Sequence, residues 1–200
     1  SKRSIELDMD TRSGRELLLR LVESADVVLT TGTRKSLQER GLDHATLSAC
    51  NPRVIVAVVS GFGLDGPRAE WKSCDTVAQA LGGMLFVNGH PDDAPLRSLG
   101  PQAYHSASVH AAVGVMLALL ERERSGRGQQ VEVSVQDCVV AALEHASGLF
   151  HQNGQVEVRR GTLHWSHCFR VAKCHDGCVL QGWLGDWTSL VEWVKADGKA

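Results

Sequence analysis

Charge of one sign is not in excess: 21 Lys and Arg stand against 23 Asp and Glu, a formal net charge of -2, with the two signs interspersed. Such a distribution leaves no electrostatic footprint for nucleic acid or an anionic membrane, and neither partner is expected. No apolar run approaches the length of a membrane span, and the opening residues SKRSIELD read as a strand, not as a signal peptide. A paired C-x-x-C is also missing. The six cysteines, Cys50, Cys74, Cys138, Cys168, Cys174 and Cys178, are dispersed, and several sit in apolar runs where a reduced thiol acts as a small hydrophobe. A reducing, cytoplasmic setting is the expectation. Without G-x-S-x-G or a Walker loop, serine-hydrolase and P-loop chemistry have no support. No internal repeat or low-complexity segment is visible.

What is present is an ordinary globular composition, 43% apolar and 22% charged over 200 residues, enough to bury one sizeable core. Ser4 to Leu7 reads as a strand, and Thr11 can cap a helix over Arg12 to Ser24. Val27 to Leu29 reads as a strand, Ser36 to Arg40 as a helical turn, and Asp43 as the cap of a helix ending near Cys50. Val54 to Val59 is a continuous β-branched run broken only by Ala57. Lacking polar alternation, it predicts a strand covered on both faces, as in a parallel sheet flanked by helices.

Gly61 to Lys72 reads as a loop, Thr76 to Leu81 as a helix, and Asn88 to Pro101 as another loop. Ser106 to Arg124 is apolar nearly all round from Val109 to Leu120, which predicts a buried helix. Gln130 to Val135 alternates as a strand and Val139 to Leu149 returns to helix. After Gly154 the composition shifts: four of the five tryptophans follow it, with a strand at Cys178 to Gln181 and a helix from near Asp186. These readings predict an α/β chain, a Rossmann-like parallel sheet flanked by helices over residues 1–155, and the start of a second, smaller domain over 156–200. The chain opens on a strand and closes on a turn at Asp197-Gly198-Lys199-Ala200, so a fragment is expected.

Gly61-Phe62-Gly63-Leu64-Asp65-Gly66 satisfies G-x-G-x-x-G after a strand, but Pro67 and more loop follow where a phosphate-binding helix should open. A structural loop is the better account. Cys168, Cys174 and Cys178 lie near His164, His167 and His175, yet their spacings do not fit a zinc site, and no metal is expected. His105 and His110 could serve as bases, though helix-end histidines are commoner.

Four segments in order, KRSIELDMDTRSGRELLLRLVESADVVL, NPRVIVAVVSGFGLDGP, DTVAQALGGM and LALLERERSGRGQQVEVSVQDCVV, together resemble the family III CoA-transferases, whose relatives include formyl-CoA and carnitine CoA-transferases and α-methylacyl-CoA racemase. The later FRVAKCHDGCVLQG resembles the same family's strand-turn-strand. The resemblance implies two interlocked subunits, CoA held at a Rossmann-like domain, and acyl groups passed between CoA and a carboxylate. It implies no resident cofactor, CoA or a CoA thioester being substrate. It further implies that Arg3 and Lys72 match the cations that hold CoA, as Arg and Lys pair with phosphates.

The departures concern the chemistry itself. The family's nucleophile is an aspartate in a Gly-Asp pair opening the long helix, which attacks the thioester and then accepts CoA. Aligning HAAVGVMLALLERERSGRGQ places Tyr104 there, after Ala103, and no Asp or Glu occurs between Asp93 and Glu121. A phenol of ordinary pKa is a poor substitute for a carboxylate at neutral pH. The racemase relatives' His and Asp fall on Cys74 and the same vacant helix start. Asp75 matches a frequent acidic position and is expected to cap the helix beginning at Thr76.

After the Val27 strand, the family's Glu-Asn-Phe/Tyr-x-Pro-Gly segment is replaced by Thr30-Thr31-Gly32-Thr33-Arg34-Lys35, and its following Arg by Glu39, with Arg40 one position away. No standard catalytic residue is therefore retained. The expectation is a CoA-transferase family III-like domain of acyl-CoA metabolism, a scaffold or CoA-thioester-binding half, working as a homodimer or beside a fused second half. The alternative is an active acyl-CoA:carboxylate CoA-transferase or racemase drawing its carboxylate from outside this segment.

Overall fold

The computed structural model describes residues 2–161, 163–164, 169–182 and 185–198. They form two compact units, Ser1–Phe86 with Arg97–Glu157, and Val87–Leu96 with Val158–Ala200.

In the first unit, Thr11 starts α1 (Arg12–Val22) by accepting the Gly14 N–H on its side chain, which satisfies a donor that has no intrahelical partner. Strand β1 (Val27–Thr31) follows, then α2 (Arg34–Arg40) and α3 (His44–Cys50). Thr33 and Asp43 cap these two helices through the Ser36 and Thr46 amides. Around Asp43, partial burial opposes ionisation, but hydrogen bonds from the Thr46 hydroxyl and nearby amides outweigh it and lower the carboxyl pKa.

Strand β2 (Ile55–Ser60) pairs in parallel with β1 on one side and with β3 (Gln130–Ser134) on the other. Between β2 and β3 run α4 (Asp75–Leu81), α5 (Met84–Val87) and α6 (Gln102–Ser125); α7 (Val135–Ala141) and α8 (Glu144–Asn153) follow. The expected helix over Val139 to Leu149 is thus two, the first starting at Val135 because the Ser134 hydroxyl caps it through the Asp137 amide.

The central strand is covered on both faces, as its apolar run predicts. Val56 and Val58 join Val22, Leu37 and Leu47 in one buried cluster. Val59 packs from the opposite face against a second, which contains Ala103, Ala107, Ala111, Val133 and Val139. A parallel sheet with helices on each face is the outcome.

Two expectations fail here. Ser4 to Leu7 is not a strand; Ile5 is 67% exposed, and no described strand pairs with the segment to complete its backbone hydrogen bonds. Helix α6 is not buried all round. Its Ala103, Ala107, Ala111 and Ala118 lie against the core, and at Gly114 a Cβ would come within 2.7 Å of Val131 Cγ1. Small residues let that side approach the sheet. On the other side Val109, Val113, Met116, Leu117 and Leu120 are each more than half exposed, because no described element covers them. Contrary to the expectation of no span-length segment, α6 is long and apolar enough to cross a membrane. Its alanine side packed on the sheet is the arrangement of a core helix.

The second unit holds an antiparallel sheet of β4 (Leu163–His164), β5 (Phe169–Lys173) and β6 (Cys178–Gly182), then α9 (Trp187–Ala196). Asp186 caps α9 through the Thr188 and Ser189 amides, and those bonds, led by Thr188, lower its pKa.

Candidate functional site

The C-terminal ends of the parallel strands are where an open α/β sheet receives ligands, and β2 ends there on Ser60. The G-x-G-x-x-G stretch leaves β2 as a loop, with Gly63 and Gly66 at φ of 87° and 95°, and no helix opens on Gly66. Three ties hold this loop. The Leu64 N–H donates to Glu132 Oε1 at 2.6 Å, Arg34 Nε donates to the Leu64 carbonyl, and Arg34 Nη2 pairs with Asp65 at 2.6 Å. Arg34 is therefore a loop anchor. Glu39 forms a surface pair with Lys35 on the same helix.

The loop returns through Lys72 to Ser73, which packs so close to Gly61 that a Cβ there would lie 2.4 Å from Ser73 Cβ. The hydroxyls of Ser60 and Ser73 are buried with no hydrogen-bond partner among the described residues. Cys74 then occupies the N-cap of α4 with its thiol exposed and making no cap bond.

Asp75 does cap a helix, but not the expected one. Oδ1 accepts the N–H groups of Ala103 at 2.9 Å and Tyr104 at 3.4 Å, and Oδ2 accepts from Gln79 Nε2 at 2.6 Å. The physical reason lies in α6, whose N-cap is Pro101. Proline offers no side-chain acceptor, so the amides at the second and third helical positions turn to a carboxylate from another helix. Asp75 is only 8% exposed and both its oxygens accept hydrogen bonds, three in all, so burial and these bonds hold it as a structural acceptor and oppose its attack on a substrate.

Tyr104 therefore stands at the third position of a 24-residue helix, beside Cys74 and Asp75. Partial burial, then the neighbouring Cys74 and Asp75, push its pKa above that of an ordinary phenol. The hydroxyl keeps its proton at neutral pH and can donate a hydrogen bond, but it is a weaker nucleophile than any carboxylate in that position.

Of the residues singled out from sequence, the fold brings Tyr104 to Cys74 and Asp75, with Lys72 two positions before Cys74. Arg3 lies on the exposed N-terminal segment; among the described residues, neither it nor Lys72 makes an ion pair. His105 is exposed on α6, and His110 Nδ1 contacts the Ser106 carbonyl at 2.9 Å. His167 and Cys168 lie outside the described residues. Cys174 and Cys178 flank the β5–β6 turn, and no metal-binding cluster occurs among the described residues.

Residues 1–197 match the model of CoA-transferase family III. The succinyl-CoA:(R)-benzylsuccinate CoA-transferase subunit BbsE of Thauera aromatica is 33% identical over 98% of this chain and 49% of its own length. A formyl-CoA:oxalate CoA-transferase of Streptomyces avermitilis is 35% identical over 70% of this chain and 34% of its own. Among solved structures, a CaiB/BaiF family protein from Brucella suis superposes with a TM-score of 0.88 at 30% identity, covering 98% of this chain and 52% of that one. The chain spans about half the length of these relatives or less.

Proposed function

The chain belongs to CoA-transferase family III, and from that premise we propose that it is a CoA-thioester-binding domain of acyl-CoA metabolism that lacks the family's carboxylate nucleophile. The observation that carries this reading is the occupancy of the α6 N-terminus: a phenol that holds its proton stands in its first turn, where the resemblance puts the family's aspartate, and Asp75, the carboxylate that reaches that helix end among the described residues, has both oxygens engaged. Arg3 and Lys72, exposed and outside any ion pair among the described residues, are two cations available to phosphate oxygens of CoA. CoA enters as a substrate or ligand, not a resident cofactor.

The test is calorimetric titration of CoA into the whole protein as its gene encodes it, in parallel with Lys72→Ala and Arg3→Ala. Each variant is expected to weaken binding by roughly fivefold or more, the scale of one lost charge-assisted hydrogen bond. A folded parent that binds no CoA overturns the reading. Acyl exchange that survives Tyr104→Phe would instead favour an active transferase or racemase whose carboxylate comes from outside this segment.

The exposed Val109, Val113, Met116, Leu117 and Leu120 stripe supports a paired state, since an apolar stripe of this size on a soluble domain marks a covered surface. A second copy, or a fused second half, is its occupant, and one relative's name describes it as a subunit. Replacing Met116 and Leu117 together with glutamate should turn a dimer into a monomer in sedimentation analysis. A parent that is already monomeric would show that the stripe is covered within one polypeptide. No membrane or nucleic acid is invoked, and a cytoplasmic setting goes with free CoA thioesters.

A further inference from the structure

Trp71 is the one tryptophan in the first unit, and it is 54% exposed. A large indole in water needs a reason, and its neighbours supply one. The Arg68 guanidinium carbon lies 5.5 Å from its ring centroid, and Phe62 meets it edge-on at 6.1 Å and 80°. The Trp71 backbone N–H donates to the Arg68 carbonyl at 2.9 Å, which closes the turn that carries both side chains. The turn belongs to the loop that Arg34 and Glu132 anchor at Leu64 and Asp65, so the indole is presented by a fixed platform at the C-terminal end of the central strand. Arg68 and Lys72 flank it; although Glu70 lies between them in sequence, neither cation makes an ion pair among the described residues.

A half-exposed indole with a guanidinium over its ring and cations outside any described ion pair beside it is the chemistry that receives a nucleotide: the base stacks on the indole surface left to solvent, and the guanidinium meets a phosphate. We propose that Trp71 and Arg68 form a nucleotide platform, Trp71 stacking a purine and Arg68 pairing with the phosphate on its ribose. This rests on the CoA-binding reading, in which the purine and phosphate are those of the 3′-phosphoadenosine end of CoA. The platform adds two recognition residues to Lys72 and Arg3.

The experiment titrates CoA, dephospho-CoA, pantetheine and adenosine 3′,5′-bisphosphate into the whole protein and its Trp71→Leu, Trp71→Phe and Arg68→Ala variants. Trp71→Leu is expected to weaken CoA and the bisphosphate by roughly tenfold, the scale of one lost stacked base, without changing pantetheine binding. Trp71→Phe, which keeps a stacking face, should recover most of that loss, which separates recognition from misfolding. Arg68→Ala should weaken CoA but leave dephospho-CoA unchanged. CoA binding that is equal in the parent and Trp71→Leu, yet lost in Lys72→Ala, would overturn the platform and keep the CoA reading. Binding of the bisphosphate through Trp71 without binding of CoA would keep the platform and overturn the CoA reading. A folded parent that binds none of these ligands overturns both.

Discussion

Tyr104→Asp is expected to raise acyl exchange between a CoA thioester and a carboxylate by on the order of 100-fold or more over the parent, because loss of a covalent nucleophile removes a pathway and not merely an increment. The position suits a carboxylate. It lies in the first turn of the 24-residue helix α6, where the helix end favours negative charge. Asp75, already bound to the Ala103 and Tyr104 amides, opposes a second anion there, since two carboxylates at one site raise at least one pKa. The assay therefore belongs at mildly alkaline pH, with hydroxylamine trapping of the aspartyl thioester as the direct readout. Tyr104→Phe should remain as inactive as the parent. If the aspartate variant is no more active than the parent, the proposed loss of a nucleophile at this position is wrong.

Asp75→Ala should cost about 3 kcal/mol of stability, the scale of leaving buried amide donors unpaired. It strips the partner from the Ala103 amide and from Gln79, both residues fully buried, and it uncaps α6, which Pro101 cannot cap. For a chain of this size the melting temperature should fall by roughly 6–12 °C. Asp75→Asn keeps one carbonyl oxygen and should lose less. A second readout is available because Tyr104 is the single tyrosine. Asp75 is one of the causes holding its pKa up, so ultraviolet titration of the Asn variant should show the phenol ionising at lower pH than in the parent. A melting temperature within 2 °C of the parent, with an unmoved phenol titration, would mean that Asp75 does not cap α6.

The sheet was legible because its strands carry their own signal. Val54 to Val59 has no polar alternation, and only a two-sided burial explains that; β2 is covered on both faces. Thr11 and Asp43 announced their helices by residue type and cap them in fact, and Asp186, near which a helix is expected to begin, caps α9. Where the reading failed, the missing information was a distant partner. Ser4 to Leu7 has strand composition but pairs with no described strand. The apolar circumference of α6 predicts burial, yet half of it is presented outward, since apolar periodicity states a need for cover without saying which chain provides it.

Asp75 was the least legible residue. Beside a predicted helix start, an aspartate reads as a local cap, and nothing in its neighbours reveals that Pro101, 26 positions on, leaves another helix wanting an acceptor.

The sequence by itself determined the family and the parallel α/β order, because each is written in residue types and spacings along one strand or helix. Only the tertiary structure decided that Asp75 serves α6, that Arg34 clamps the loop after β2, and that Trp71 and Arg68 meet on that loop. Those pairings are made across folded distance, where hydrogen-bond geometry and burial choose partners that local pattern does not contain.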